Sequence, residues 1–315
     1  MSNQKTHVII NPASGGGRTA SMQSQILESI RRWHGDDLSV CVTERSGHAR
    51  VSAEGAIADG CRLILAVGGD GTINEIVNGM LASDKESKTH VDLGIISCGT
   101  GHGLAQSLGL PSCIERQSQI AATNQTRCID AARAGFQAAN GEQTNRYFIN
   151  ECQIGIGAAV VERVGSHRKR FGGLVAYGLG TLMLLKDHPN QLIRVTVDYN
   201  QQITRSFVGI CIGNGARTAG GIRLTPLAQL DDGLMDVLFL HGQPFSRRLL
   251  LFPRVPSGKH IHSGSCSYLQ ARRITFSSDE HVPVAADGEV LGSLPCTIEI
   301  IPEALRVRCL PNGKA

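Results

Sequence analysis

Strand-like and helix-like runs alternate along the first third of the chain, and this alternation constrains the fold more than any other feature. Four runs are short and rich in Val, Ile and Leu, as buried parallel strands are: HVII, LSVCVT, RLILAV and DLGIIS. Between the first two, Met22, Ile26, Ile30 and Trp33 recur at helical spacing. Alternating strands and helices with short connections predict βαβ units, hence an α/β domain with a parallel sheet and helices on both faces.

The pattern changes after about Arg127. Runs such as QLIRVTVDYNQQITRSFVGICIGN and CTIEIIPEALRVRCL are paired strand-like segments around polar turns, which predict antiparallel sheet. At 315 residues the chain also exceeds the usual size of a single domain. We therefore expect an α/β domain over residues 1–127 and a β-rich domain over 128–315, whose final strands can pack back on the first domain.

Composition excludes several classes of protein. A net charge of +4 and an aromatic content of 4% argue against a nucleic-acid partner. The ten cysteines form no C-x-x-C pair, which indicates reduced thiols. The N-terminal residues lack the apolar core of a signal peptide, and no apolar run is long enough for a membrane span. These features predict a cytoplasmic protein, and basic clusters such as FSRR could hold it peripherally at the inner face of the membrane.

The strongest local motif is AVGGDGTINEIVNG, in which a glycine-rich turn joins a strand to a helix. Gly68, Gly69 and Gly71 allow a sharp turn and a close approach to a ligand, while Thr72 lies at the helix start. Amide groups there would face an anion. Asp70 would be unfavourable beside phosphates unless it holds Mg²⁺ through water or accepts a proton from an attacking hydroxyl.

Two further glycine-bearing turns follow other strands of the predicted sheet. In NPASGGG, Pro12 fixes the exit from the strand and the residues after it can offer amide groups; the other turn is CGTGHGLAQSLGLP. Three such turns meet at one edge of a parallel sheet, which predicts a phosphate site. The sequence has neither a Walker A motif nor G-x-G-x-x-G after the first strand, which argues against a P-loop enzyme and a Rossmann dehydrogenase.

A pair of carboxylates occurs late in the chain, in VPVAADGEVLG. Asp287 and Glu289 flank Gly288 after an apolar run, so both could point the same way from a turn. Phosphoryl transfer needs aligned reactants and neutralised charge more than covalent help. Glycine amides, a metal ion and one carboxylate near an alcohol would suffice for it.

Five ordered motifs resemble those of the diacylglycerol kinase catalytic domain family, which includes bacterial lipid kinases, sphingosine kinases and ceramide kinases: NPASGG, GGDGTINEIVNG, GTGHGLAQSLGLP, GNGARTAGGIRLTPLAQLDDGLMDV and ADGE. The resemblance spans Val8 to about Val307. It implies a nucleotide-binding α/β domain, a C-terminal antiparallel β-sandwich that helps to form the lipid site, and transfer of the γ-phosphate of Mg-ATP to a lipid hydroxyl. The lipid would be presented at a membrane surface.

The resemblance also implies roles for single residues. Glu289 would be the proton acceptor, with Asp287 and Asp70 close to the reacting centre. Mg²⁺ would be held by the carboxylate of Asp232 and the backbone carbonyls of Gln229 and Leu234. The implied nucleotide contacts are Asn11, Pro12, Ser14, Gly15, Thr43, Gly68, Gly69, Asp70, Gly71, Thr72, Ile73, Asn74 and Thr100.

His102 departs from the family pattern, which most often has Asn at this position. An imidazole at a helix start can still donate an N–H to phosphate or ribose, so we expect His102 to replace the Asn amide as a nucleotide contact. Gly103, where some bacterial members have an acidic residue, favours a sphingoid or ceramide-like substrate, while diacylglycerol stays open. The sequence predicts no particular oligomeric state.

Two other functions stay open. The family of NAD kinases shares the G-G-D-G turn and carries an Asn-Glu pair downstream, which Asn150 and Glu151 resemble in FINECQIGIG. The other alternative is a non-catalytic, nucleotide-dependent lipid sensor, suggested by His102. An inactive protein should have lost its functional carboxylates, and four are present: Asp70, Asp232, Asp287 and Glu289. Both alternatives therefore rank below the lipid kinase.

Overall fold

The computed structural model describes residues 5–83, 91–99, 101–138, 141–167, 184–218 and 221–310. The chain divides into two compact units. Unit 1 contains Met1–Ala131, Ala219–Gly221 and Pro302–Ala315, and unit 2 contains Ala132–Thr218 and Ile222–Ile301. Unit 1 is therefore assembled from segments that are far apart in the sequence.

All ten cysteines are free thiols, as predicted. Among the residues that the structure describes, no helix has both the length and the apolar character needed to cross a membrane.

Unit 1 is built on the predicted parallel sheet. Its first four strands are β1 (Thr6–Ile10), β2 (Leu38–Val42), β3 (Leu63–Gly68) and β4 (Asp92–Ser97). They pair in parallel in the order β4-β3-β1-β2. A fifth strand, from the end of the chain, lies parallel to β4, with Arg306 opposite Asp92 and Val307 opposite Leu93.

Helices cover both faces of this sheet. They are α1 (Arg18–Ser21), α2 (Gln23–His34), α3 (His48–Ala58), α4 (Asp70–Ala82), α5 (Gly103–Ser107) and α6 (Ile114–Ala121). Val8 and Ile10 pack with Ile26 and Ile30 of α2 on one face. Ile9 points to the other face, where α3 contacts β1, and it is fully buried.

β2 differs from the buried strand that its Val-rich sequence suggests. It is the edge strand and pairs with β1 alone among the described strands. Val40 and Val42 are 39% and 37% exposed. An edge position leaves a strand less covered than a central one, which explains the difference.

Unit 2 is antiparallel, as predicted. Strands β5 (Thr126–Gln137) and β14 (Glu289–Arg308) belong partly to each unit. The other strands are β6 (Gln143–Phe148), β7 (Glu151–Gly155), β8 (Gln191–Val197), β9 (Gln201–Gly213), β10 (Met235–His241), β11 (Cys266–Ala271), β12 (Arg273–Ser277) and β13 (Pro283–Ala286). Its helices include α7 (Ile156–His167) and α8 (Phe245–Leu251).

Two long strands fold the sheet of unit 2 into a sandwich. β9 pairs with β8 through its first half and with β7 through its second half. β14 likewise pairs with β13 from Glu289 and then with β12 up to Glu299. The enclosed core contains four fully buried phenylalanines, namely Phe148, Phe207, Phe239 and Phe276. This arrangement confirms the expected β-sandwich.

A buried ion pair holds the end of β14 in unit 1. Arg308 Nε lies 2.6 Å from Oδ2 of Asp92, and both side chains are almost fully buried. Arg306 Nε lies 3.1 Å from the other oxygen, Oδ1. Arg308 also donates to the backbone carbonyl of Thr123 and to Oδ1 of Asn124. Because a buried charge without its partner costs several kcal/mol, about 3–5, these contacts fix the fifth strand firmly.

Candidate active site

Three turns pack against one another where β1, β3 and β4 end. A Cβ atom added at Gly15 would lie 2.6 Å from the carbonyl oxygen of Cys98. One added at Gly99 would lie 2.6 Å from Cα of Gly69. Both distances are shorter than real Cβ contacts, so only glycine allows the backbones to approach this closely. The turns therefore converge as the strand order predicts.

A side-chain hydrogen bond ties the first turn to the second. Asn11 Nδ2 donates to Oγ1 of Thr72 at 2.9 Å, and Asn11 Oδ1 accepts from the amide of Ala13 at 3.0 Å. Thr72 is buried and lies directly against Gly68, where an added Cβ would be 2.6 Å from Thr72 Oγ1. The side chains of Asn11 and Thr72 thus shape the loops, which leaves backbone groups to face a ligand.

Asp70 joins the second turn to the third. It is the first residue of α4, and its two carboxylate oxygens accept from the amides of Gly103 at 3.2 Å and Leu104 at 3.4 Å. Those amides belong to the first two residues of α5, where a negative charge is favourable because the amide groups at a helix start point outwards. Asp70 is half-buried, and each of its oxygens keeps a further lone pair for a metal-bound water or a hydroxyl proton.

His102 occupies the position just before α5 with φ +53°, in the left-handed region. Asn, Asp and His are the side chains found most often there after Gly, so a position that suits Asn also suits His. Nδ1 of His102 lies 2.6 Å from Oγ of Ser97, the last residue of β4. Within the part of the chain that the structure describes, Nε2 has no hydrogen-bond partner and is available to a ligand.

The remaining expected nucleotide contacts fall into two groups. Pro12, Ser14 and Gly15 are half-buried in the first turn and Gly71 is exposed. Thr43, Ile73 and Asn74 are buried, so their side chains face the interior of unit 1. Asn74, for example, accepts from Nδ2 of Asn78. Their role as nucleotide contacts stays a prediction. Thr100 lies outside the described residues.

Asp287 occupies a tight hairpin turn in unit 2. It has φ +44° and Gly288 has φ +81°, as in a type I′ turn between β13 and β14. Its carboxylate accepts three backbone hydrogen bonds, from the amides of Ile149 at 2.9 Å and of Asn150 and Glu151 at 3.0 Å each. Asp287 therefore fixes the hairpin against the turn between β6 and β7.

Glu289 has a different partner. Its Oε2 lies 2.5 Å from the guanidinium of Arg146 on β6, and its side chain is 41% exposed. The two carboxylates of the D-G-E motif thus contact different groups, one the backbone amides and the other a cation. Arg146 was not expected from the sequence. It lies 143 positions from Glu289, and nothing in the run QTNRYF distinguishes it from an ordinary exposed arginine.

Asn150 and Glu151, the pair that resembles NAD kinases, lie in unit 2 beside the hairpin. The carbonyl of Asn150 accepts from the amides of Asn214 at 2.8 Å and Gly215 at 3.0 Å. Glu151 is buried and accepts from Nε2 of Gln153 at 2.7 Å. Oδ1 of Asn150 is buried and has no hydrogen-bond partner among the described residues.

The expected metal loop is a compact turn ahead of β10. Asp232 Oδ1 accepts from the amide of Leu234 at 3.0 Å, which orders the loop. Asp232 and Leu234 are half-buried and Gln229 is exposed. A carboxylate and backbone carbonyls form the all-oxygen donor set that Mg²⁺ prefers, so these residues fit the ion.

Asp236 lies close to this loop and is fully buried on β10. Burial raises its pKa, the nearby charge of Asp232 adds to that shift, and the hydrogen bond from Gln270 opposes it. Its Oδ1 has no hydrogen-bond partner among the described residues. A cation at the loop would offset this buried charge. In the described ranges, three or more His, Cys, Asp or Glu side chains nowhere cluster around a metal position.

Known proteins resemble the chain over most of its length. The family model "Diacylglycerol kinase catalytic domain" matches residues 5–134, and the model "YegS C-terminal NAD kinase beta sandwich-like domain" matches residues 150–309. A diacylglycerol kinase of Staphylococcus carnosus is 26% identical over 96% of this chain and 94% of its own length. One from Bacillus subtilis is 28% identical over 93% of this chain and 92% of its own length.

Solved structures share the fold. A diacylglycerol kinase from Bacillus anthracis matches with a TM-score of 0.72 and 21% identity, covering 99% of this chain and 98% of that one. Yeast NADH kinase in complex with NADH matches with a TM-score of 0.55 and 12% identity, covering 98% of this chain and 85% of that one.

Proposed function

We propose that this chain, which belongs to the diacylglycerol kinase family, transfers the γ-phosphate of ATP to the hydroxyl of a lipid such as diacylglycerol, sphingosine or ceramide. The members of this family are transferases that phosphorylate a lipid hydroxyl. The observation that carries this proposal is the packing of three glycine turns at the ends of β1, β3 and β4. Glycine backbones that meet this closely leave amide groups exposed to face the phosphates of ATP.

The contacts of the turns support a fixed nucleotide site. The Asn11–Thr72 bond holds the first two turns together, and the Asp70 carboxylate holds the second to the third. A site that is already organised does not have to be ordered when the nucleotide binds, which favours tight positioning of the γ-phosphate. Nε2 of His102 would donate to a phosphate or to the ribose, as the Asn amide would in relatives.

Glu289 is the residue that we propose to accept the hydroxyl proton. Its ion pair with Arg146 holds the carboxylate in one place, and its 41% exposure leaves it open to a substrate. Asp287 acts as a positioning residue, because its three amide contacts fix the turn from which Glu289 extends. Asp70 is the other candidate proton acceptor.

Mg²⁺ would supply the positive charge that offsets the negative charge on the transferring phosphoryl group. Asp232 and the carbonyls of Gln229 and Leu234 would hold such an ion, and Asp70 could bind another through water. The orphaned carboxylate oxygen of Asp236 beside the loop supports a cation there.

The decisive experiment is to incubate the purified protein with labelled ATP, Mg²⁺ and a panel of diacylglycerol, sphingosine, ceramide and phosphatidylglycerol in mixed micelles. We expect label in at least one of the lipids, and the labelled lipid identifies the substrate. Lipid binding without label in any lipid would favour the non-catalytic sensor instead.

An NAD kinase is the second candidate function. Its specific support is the Asn150–Glu151 pair, in which the side-chain oxygen Oδ1 of Asn150 is buried without a partner in the described ranges. A ligand with hydroxyl or amide donors could supply that partner. Phosphorylation of NAD by ATP, with none of the lipids in the panel labelled, would favour this candidate over the lipid kinase.

A further inference from the structure

Helix α8 in unit 2 exposes apolar side chains to solvent. Phe245, Leu249 and Leu250 are 38%, 42% and 74% exposed. Phe245 and Leu249 are four positions apart, so they are neighbours on one face of the helix, with Leu250 beside them. Single exposed apolar side chains are common on protein surfaces, but here three large ones cluster on a helix of seven residues. Such a patch marks a contact surface.

A buried arginine fixes the orientation of this patch. Arg248 lies between the exposed residues on α8, and its guanidinium donates to the carbonyls of Gln243 at 2.9 Å and His188 at 2.6 Å and to Oδ1 of Asn190 at 2.8 Å. Because Arg248 and Leu251 face inward, Leu249 and Leu250 cannot turn into the core of unit 2 without breaking these bonds.

A cavity of about 390 Å³ opens beside the start of α8. It is lined by His241, Gln243, Arg247, Ser263 and Ser265, together with two glycines. The Gln243 side chain is 5% exposed, and neither its Nε2 nor its Oε1 has a hydrogen-bond partner among the described residues. A buried amide without partners is costly, about 1–3 kcal/mol, unless a ligand or water supplies them.

None of the residues that line the cavity is acidic. The sequence contains no Asp or Glu between Asp236 and Asp279. Arg247, Arg254 and Lys259, which lie in this interval, are exposed. Burial and the charge of Arg205 both lower the pKa of His241, so Arg205 adds positive charge near this wall of the cavity. Cations, serine hydroxyls and an amide are the groups that bind a phosphate diester.

The cavity is separate from the proposed metal loop. Asp236, near the loop, lies opposite Gly213 at the start of β10, whereas His241 lies opposite Phe207 at its end. Five residues of extended strand separate the two by about 16 Å. The cavity therefore has no part in the groups assigned above to phosphoryl transfer.

We propose that this cavity binds the phosphate headgroup of an anionic phospholipid while Phe245, Leu249 and Leu250 enter the apolar interface of the bilayer. The proposal rests on the proposed function in one respect, since a lipid kinase must meet its substrate at a membrane. Arg247 and Gln243 contact the headgroup, Arg254 and Lys259 face the anionic surface, and Arg248 keeps the apolar side chains directed at the membrane.

Sedimentation with vesicles in the absence of nucleotide tests this surface. Vesicles of phosphatidylcholine alone are compared with vesicles containing about 30% phosphatidylglycerol. We expect binding to be at least tenfold tighter to the anionic vesicles and to weaken as salt is raised, because a cation near such a surface strengthens association by roughly fivefold. Equal binding to the two kinds of vesicle would overturn the proposal.

Variants locate the contact. Arg247→Glu should weaken binding to anionic vesicles by tenfold or more, and Leu249→Ser with Leu250→Ser should weaken it on both kinds of vesicle. The matched controls lie in unit 1: Arg31→Glu changes the charge equally, and Val51→Ser removes an exposed apolar group. Equal losses in the controls and in the α8 variants would contradict the assigned location.

A fluorescent probe keeps the test decisive where a variant folds poorly. Trp33 is the single tryptophan of the chain, so Leu250→Trp in a Trp33→Phe background reports on α8 alone. Anionic vesicles should shift its emission to shorter wavelength, and an unchanged spectrum would contradict insertion. Gln243→Leu, which removes the unpartnered amide, should preserve folding and reduce the preference for phosphatidylglycerol.

Two further experiments make two distinctions. One distinguishes a lipid headgroup from a soluble phosphate as the ligand of the cavity, and the other distinguishes failure of this proposal from failure of the proposed kinase function. If millimolar glycerol phosphate binds the cavity and anionic vesicles do not, the site is one for a soluble anion and the proposal is wrong. Phosphoryl transfer to a short-chain, monomeric lipid measures the proposed function separately. Arg247→Glu should leave that rate unchanged, so a loss of vesicle binding alone leaves the kinase assignment intact.

Discussion

The candidate residues in unit 1 and those in unit 2 are held in place by different forces. In unit 1, three turns fit together mainly because glycines let backbone meet backbone, and two side chains add links: Asn11 to Thr72, and the Asp70 carboxylate to the amides at the start of α5. In unit 2, the D-G-E hairpin is held by charge, through the amides that bind Asp287 and the guanidinium that binds Glu289. A site for a polyanion can be built from shape and amide dipoles, whereas a group that moves a proton needs a positioned charge.

The largest effect should come from the charged side of this comparison. Glu289→Gln keeps the shape of the side chain and removes the proton acceptor, so turnover should fall by roughly 10² or more. Steady-state phosphorylation of the lipid identified in the panel measures it. Glu280→Gln is the control, since Glu280 is an exposed carboxylate of the same unit. Turnover near that of the wild type in Glu289→Gln would transfer the role to Asp70.

Variants of Arg146 test whether its ion pair positions the Glu289 carboxylate. As a positioning residue, it should affect turnover more than the KM for ATP, and Arg146→Lys should restore part of what Arg146→Gln loses. Equal turnover in these two variants would mean that the ion pair contributes no positioning.

Gly99→Ala tests the shape of unit 1. The new methyl group would lie against Cα of Gly69, and backbone cannot rotate away as a side chain can. We expect the free energy of unfolding to fall by about 2–3 kcal/mol. Chemical denaturation measures it, with Gly71→Ala as the control, because a Cβ there meets nothing within 4 Å. Similar stability of the two variants would show that the turns can separate at little cost.

Asp287→Asn asks whether charge, rather than shape, holds the hairpin of unit 2. The amide keeps one acceptor but turns an NH₂ group towards a backbone N–H, so the free energy of unfolding should fall by about 2 kcal/mol. Asp279→Asn, at an exposed ion pair with Arg194, is the control and should change stability little. If denaturation curves show equal losses for both variants, the three amide contacts contribute no more than a surface pair.

The smallest effect is expected at His102. Because Asn tolerates the left-handed backbone and offers an N–H, His102→Asn should keep the KM for ATP within about threefold of the wild-type value. His102→Val offers no N–H and is strained at positive φ, so it should destabilise the fold by about 1–2 kcal/mol. Nucleotide titration and thermal unfolding measure the two effects. A tenfold rise in KM for His102→Asn would show a role for the imidazole that an amide cannot fill.

The sequence predicts features that are local and periodic. The strands β1, β3 and β4 and the glycine turns after them follow from short apolar runs and from residues whose backbone freedom is unusual. His102 also carries such a signal, since it is one of the few side chains tolerated at positive φ and it stands between two glycines. The exposure of β2 could not be predicted, because an edge position depends on the order in which strands pair.

Contacts between distant residues could not be predicted either. The amides that bind Asp287 lie 136 to 138 positions away, and any backbone can supply them, so no residue type marks the interaction. In the sequence, Arg146 resembles any other arginine until β6 and the hairpin are placed. The cavity beside α8 depends likewise on the approach of Ser263 and Ser265 to Arg247.

The last long strand ties the assembly of unit 1 to the order in which the ribosome makes the chain. Arg306 and Val307 complete its parallel sheet beside β4, more than two hundred residues after β4 is synthesised. Pairing over such a separation is slow, because a large loop must close before any contact stabilises it. The β4 edge of the nascent unit must therefore stay unpaired until Arg306 and Val307 have been synthesised.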